Sequence, residues 1–153
     1  MVGRLPVLLV CAALLAACDE PKRTPCVYNI PAGYHGWVVI IFQDQSCPPL
    51  PKRDGKWIFS VGSDGRVCTR TQPEFGWAKD EYFFVSSVGA RREIEQWPSK
   101  AEMIRNQSDG DCQSAGKPSV VFEEFFVGTE QELRKNPEPN IPGCLGRAAP
   151  NSG

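Results

Sequence analysis

Apolar and polar positions along this chain fall into short runs that read as strands. The strongest is Gly36-Trp37-Val38-Val39-Ile40-Ile41-Phe42, which is apolar at odd and even positions alike. A strand of that kind belongs in the middle of a sheet covered on both faces. Residues 26–30 form a shorter strand candidate, followed by a turn at Pro31-Ala32-Gly33 with Pro second and Gly fourth. Residues 56–61 place Trp57, Phe59 and Val61 on one face. Ser63-Asp64-Gly65 is a hairpin signal, which makes residues 66–71 the return strand. Residues 81–85 form another strand, aromatic on both sides, and residues 119–127 a late one. Ser99 with Glu102, and Thr129 with Glu132, have the spacing of capping boxes and predict two short helices. The pattern predicts a small, mainly β domain: an antiparallel sandwich or barrel with one or two short helices. Its Gly-aromatic turn before a long apolar strand is similar to a transthyretin-like sandwich.

The N-terminal run differs. Arg4 precedes an apolar stretch over residues 5–15, and the small residues Ala16 and Ala17 precede Cys18. These are the parts of a secretory signal. Leu15-Ala16-Ala17-Cys18 resembles the lipobox of bacterial lipoproteins, which implies cleavage before Cys18 and lipidation of its sulfur. The run is shorter than the roughly 20 residues of a spanning helix. Asp19 follows the cysteine, as in lipoproteins kept at the inner membrane of enteric bacteria, and this slightly favours that membrane. The expected organisation is a lipoprotein signal peptide over 1–17, a lipidated tether over 18–25, a β domain over 26–135 and an irregular Pro/Gly-rich tail over 136–153.

Removing residues 1–17 leaves 16 basic against 18 acidic side chains, a side-chain charge of −2. That balance gives no basic surface for nucleic acid. Fourteen Gly and fourteen Pro fit short strands and many turns. Cys26, Cys47, Cys68, Cys112 and Cys144 remain besides the lipidated residue. Outside the cytoplasm they should oxidise, and an odd number leaves one over. The expected bridges are Cys47 with Cys68, and Cys112 with Cys144, leaving Cys26; sequence alone does not fix the connectivity. With no CxxC pair and His35 as the single histidine, no metal and no cofactor are implied.

Candidate chemistry is sparse. Tyr34, His35, Trp37, Phe75 and Trp77 lie in or beside turns, where aromatic side chains either stack on a sugar or a partner or plug the end of a small core. Asp80 and Glu81 adjoin on a strand, as do Glu123 and Glu124. Neighbours on a strand point to opposite faces, so neither pair can flank one glycosidic bond. Solvated or ion-paired carboxylates are the expectation for all four. His35 lacks a recognisable nucleophile and orienting acid. The basic pairs Lys52-Arg53 and Arg91-Arg92 fall short of the roughly 4–8 charges of a lipid-binding cluster.

Taken in order, Ile30-Pro31-Ala32-Gly33-Tyr34-His35-Gly36-Trp37-Val38, Pro48-Pro49-Leu50-Pro51, Gly76-Trp77-Ala78-Lys79-Asp80-Glu81-Tyr82-Phe83 and Phe126-Val127-Gly128-Thr129 resemble an uncharacterised group of bacterial lipoproteins built on a domain of unknown function. The likeness spans roughly residues 26–135 and implies no catalytic residue. The expected function is a lipid-anchored binding or structural module facing the periplasm. Its partners would be the membrane, through Cys18, and an envelope protein or glycan. The alternative is an envelope glycan hydrolase using Asp80 with substrate stacked on Trp77.

Overall fold

The computed structural model describes residues 22–95, 103–113, 116 and 118–144. The predicted signal peptide over 1–17, Cys18 and the predicted Ser99–Glu102 capping box lie outside them. Nine strands and one helix are present: β1 (Cys26–Pro31), β2 (Gly36–Phe42), β3 (Lys52–Arg53), β4 (Lys56–Ser60), β5 (Arg66–Cys68), β6 (Glu81–Val85), β7 (Arg91–Glu93), β8 (Met103–Cys112), β9 (Val120–Gly128) and α1 (Glu130–Lys135). They form two sheets, ordered β3-β4-β1-β6-β7 and β5-β2-β9-β8, packed as a sandwich and not closed into a barrel.

The sheets are mixed, where the sequence predicts antiparallel ones. β1 pairs in parallel with both β4 and β6, and β2 pairs in parallel with β5. The cause lies in the turns. The connections β1–β2, β4–β5 and β5–β6 each carry the chain to the other sheet, whereas β3 and β4 form a hairpin within one sheet. Alternate strands therefore return to the same sheet running the same way. The predicted hairpin at Ser63-Asp64-Gly65 is such an arch. The turn forms, with Gly65 N–H donating to the Gly62 carbonyl at 3.0 Å, but β4 and β5 lie in different sheets. Gly65 has φ +77°, and a Cβ there would sit 1.9 Å from Tyr34 Oη and 2.4 Å from the Trp37 carbonyl oxygen. No other residue fits. The turn after β1 also shifts by one residue: Tyr34 N–H donates to the Pro31 carbonyl, so Gly33, at φ +78°, is third and not fourth.

In-register parallel strands place same-face side chains at the strand spacing of about 4.8 Å. Tyr28 lies opposite Phe59 on one side and Tyr82 on the other. The three rings stack, with centroids 4.8 and 4.6 Å apart. Phe125 of β9 meets Tyr28 and Tyr82 edge-on at 5.3 and 5.4 Å. Ile30, Val61 and Phe84 from one sheet, and Val38, Ile40, Phe42, Val67 and Val127 from the other, complete the core.

The apolar outer face of β2 has its own cover. Val39 and Phe122 pack with Ile141, which is 2% exposed, and with the half-buried Cys112 and Cys144. Both bridges, Cys47–Cys68 and Cys112–Cys144, are formed, with Cα atoms 5.8 and 5.5 Å apart. The second holds the irregular segment after α1 against that face. At α1 the capping box closes: Thr129 Oγ1 accepts from Glu132 N–H at 3.2 Å, and Glu132 Oε2 accepts from Thr129 N–H at 2.7 Å. Where a helix entered at Ser99 would continue, the chain from Met103 is instead the polar edge strand β8. Its pairing with β9, along an apolar strand of nine residues, overrides local propensity.

Candidate functional site

One end of the sandwich, where β1 begins and β2 ends, is open. It holds a cleft of about 210 Å³ walled by Phe42, Trp57, Phe59 and Phe75, with Glu123 and Gln107 on its polar side. A broader depression of about 630 Å³ lies at the other end, lined by residues such as Pro31, Ser60 and Val85 without a charged side chain. Convergent polar groups in an apolar concavity distinguish a binding site, so the smaller cleft is the candidate.

Its polar floor is a four-residue network. Tyr28 Oη and Gln107 Nε2 both donate to Glu123 Oε1, at 2.8 and 3.0 Å. Tyr82 Oη donates to Gln107 Oε1 at 3.3 Å. Glu123 Oε2 makes no protein hydrogen bond among the described residues. Burial pushes the Glu123 carboxyl above the usual carboxylate range, while the Tyr28 and Gln107 hydrogen bonds pull it part of the way back. Burial likewise raises both phenols, so they remain protonated donors.

A native carboxyl raised above its unfolded value favours the folded state while it is protonated. That contribution is present below the unfolded value and is lost as pH rises through the folded one. Glu123→Gln should therefore unfold at higher urea than the wild type at neutral pH, the two converging under acid. Urea midpoints between pH 4 and 8 check this. A gap that stays constant with pH would show that Glu123 titrates as an exposed group.

Beside the cleft, residues 22–25 lie against the domain, although the sequence placed them in the tether. Arg23 makes a two-pronged pair with Asp80, Nη1 to Oδ1 at 2.9 Å and Nη2 to Oδ2 at 2.5 Å. Asp80 Oδ1 also accepts Cys26 N–H at 2.9 Å. Arg23 Nε donates to the Gly76 carbonyl at 3.1 Å. The side chains of Arg23 and Asp80 are 15% and 7% exposed. Glu74 accepts Thr24 N–H and Trp57 Nε1–H, at 2.9 and 2.8 Å, and these two bonds hold its carboxyl below the usual range.

Cys26, the free thiol, is buried, and desolvation followed by the nearby Asp80 charge pushes it up to about 12. Thiolates react and thiols do not. Among the cysteines from 26 onward, one should alkylate without reductant in denaturant, and none in the native protein at pH 8. Native labelling of Cys26 within minutes would refute its burial.

The sequence-derived surface splits in two. Phe75, Trp77 and Asp80 sit at the cleft end. Tyr34 and Trp37 lie toward the opposite end of β2, roughly 17 Å from Phe42 at the rise of an extended strand. Tyr34 Oη donates to the Trp37 carbonyl at 2.5 Å, and Trp37 packs edge-on to Phe126 at 5.5 Å. Those two are half-buried, whereas Phe75 and Trp77 are 63% and 62% exposed. Asp80 is committed to Arg23 and the Cys26 amide, and Glu81 pairs with Lys56. His35 Nδ1 meets Glu132 Oε1 at 2.8 Å and so ties the β1–β2 turn to α1. Arg91 and Arg92 lie over the Phe83 and Phe84 rings, at 4.0 and 4.8 Å, and charge the edge strand β7.

Sequence reasoning missed Glu123 and Gln107. Glu123 and Glu124 do point to opposite faces, but neither is an ordinary solvated carboxylate. Glu123 enters the cleft, and Glu124, 2% exposed, accepts from Ser108 Oγ at 3.0 Å. The available signal was two acids inside an otherwise apolar nine-residue run.

A mixed two-sheet β-sandwich with one short helix, stapled by two disulfides and open at one end, is the class of domain that these features define. The chain belongs to the DUF6843 family of unknown function, which it matches over residues 22–136. Its fold is similar to the crystal structure of a Bacillus anthracis protein described as a candidate lipoprotein. The two share a TM-score of 0.61 and 24% identity, over 85% of this chain and 83% of that one. No curated protein matches the chain. Among the described residues no helix is long and apolar enough to cross a membrane.

Proposed function

We propose that this protein is a lipid-anchored binding module of the bacterial cell envelope, held by Cys18 and facing the periplasm, with its ligand taken into the end cleft. In this reading residues 1–17 are removed, the lipid sits on Cys18, and residues 26–135 carry the binding domain. The cleft carries the binding part: aromatic walls converge on a half-buried carboxyl group with one oxygen unengaged by protein among the described residues. The anchor is supported by the sequence at residues 15–18 and by the description of the fold neighbour as a candidate lipoprotein. The two cystine bridges suit an oxidising compartment.

Protein recovered from bacterial envelopes tests both parts. Its intact mass should show acyl groups on a terminus beginning at Cys18, and Cys18→Ser should leave the membrane fraction. Native mass spectrometry should show a small molecule held by the wild type and lost from Glu123→Gln. An unacylated terminus would overturn the anchor, and an empty cleft in freshly isolated protein would overturn the binding role.

A further inference from the structure

Phe75, Trp77 and Val88 are the exposed large apolar side chains among the described residues. Val88 follows β6 at the far end of the sandwich. Phe75 and Trp77 share the 72–80 loop at the cleft end, where the chain enters the domain. Lys22 forms a β-bridge with Trp77, and Arg23 N–H donates to the Trp77 carbonyl at 3.2 Å. The Arg23–Asp80 pair and the Arg23 bond to the Gly76 carbonyl fix this loop to the entering strand.

Covalent geometry then limits how far Trp77 can lie from Cys18. Three residues separate Cys18 from Lys22, so four steps of extended chain span at most about 14 Å, and the bridge from Lys22 to Trp77 adds the strand spacing of about 5 Å. The interfacial layer between water and hydrocarbon is itself about 5–8 Å deep. A lipid on Cys18 keeps the exposed Trp77 and Phe75 within reach of that layer. Trp is the residue type that prefers it, with the ring in the headgroups and the indole N–H still able to find a hydrogen bond. Exposed Lys22 and Lys79 flank the loop, and Lys52 Nζ lies 3.5 Å from Thr24 Oγ1. These are cations set to meet anionic headgroups. Among the described residues the loop acids Glu74 and Asp80 are engaged by Trp57 with Thr24 and by Arg23, and Asp19 and Glu20 add two acidic side chains between the lipid and Lys22.

We propose that the 75–77 loop seats in the headgroup region of the bilayer that carries the Cys18 lipid, so that the domain stands with its cleft end at the membrane surface. The proposal rests on the anchored reading for its geometry. The loop itself supplies a second, weaker attachment, in line with the general need for more than one membrane signal.

The test uses the full chain in vesicles of phosphatidylethanolamine and phosphatidylglycerol containing brominated acyl chains, which quench nearby indoles. Wild-type emission should be quenched on these vesicles. Trp77→Phe should remove most of the quenching, and Trp37→Phe, at the other end of the domain, should leave it in place. Acylated chain that floats with the vesicles yet shows equal quenching in the wild type and Trp77→Phe would overturn the proposal. The anchor is separated from the loop by the Cys18→Ser chain. Its residual vesicle binding should fall about tenfold in Phe75→Ser/Trp77→Ser. Binding that is absent, or unchanged by that double substitution, counts against the loop. A missing acyl mass on the wild type counts against the anchor alone.

Discussion

Asp80→Ala should lower the unfolding free energy by about 3 kcal/mol, the range observed when one partner of a buried ion pair is removed. The substitution strands three N–H donors at once. The Arg23 guanidinium loses both prongs of its pair, and the Cys26 amide loses its acceptor at the first residue of β1. Water cannot replace them cheaply, because the Asp80 side chain is 7% exposed. For a domain of this size the loss corresponds to a fall of roughly 10 °C in Tm. Removing both partners, in Arg23→Ala/Asp80→Ala, should cost less than the sum of the two single changes, since no unpaired charge is then left behind. Urea melts of the four proteins measure this cycle. A drop below about 1 kcal/mol for Asp80→Ala would place the pair among solvated surface bridges. Such a result would also loosen the strap that fixes the 75–77 loop and the wall of the cleft.

Phe125→Ala carries the other large effect, a loss of about 4 kcal/mol. Phe125 is fully buried and faces the Phe59–Tyr28–Tyr82 stack edge-on. The loss combines the transfer of a benzyl group, the void left behind, and two ring contacts of about 0.5–1.5 kcal/mol each. Phe125→Leu keeps most of the volume and should cost roughly 1.5 kcal/mol or less. A similar penalty for both variants would mean that the aromatic geometry matters and volume does not. The change also touches the cleft, since Tyr28, which Phe125 supports, donates to Glu123.

The two parts of the candidate site differed in how far sequence revealed them. Phe75 and Trp77 were legible as aromatic residues of a loop, because a Gly stands between them among loop residues, but whether the rings are exposed or plug the core was not. Asp80 was legible as a charged residue at a strand start, but its role was not. Its partner Arg23 lies 57 positions away, in what reads as a tether. Glu123 was set aside because its neighbour points the other way. The geometry behind that argument holds, yet it says nothing of what Glu123 itself faces. Tyr28, Gln107 and Tyr82 come to it from three other strands.

By itself the sequence determined the local elements: the doubly apolar β2, the β4 and β6 strands, the capping box at Thr129 and Glu132, and an oxidised cysteine set with one thiol over. Each follows from side-chain period, turn chemistry or pairing arithmetic within a short stretch of chain. Only the tertiary structure decided that the turns after β1, β4 and β5 are arches and not hairpins, which makes the central pairings parallel. It alone decided that an edge strand as polar as β8 forms, and that a carboxylate inside an apolar run closes the floor of a cleft. These outcomes depend on which sheet a strand returns to. That choice is made by burying apolar area between segments distant in sequence, and no local pattern encodes it.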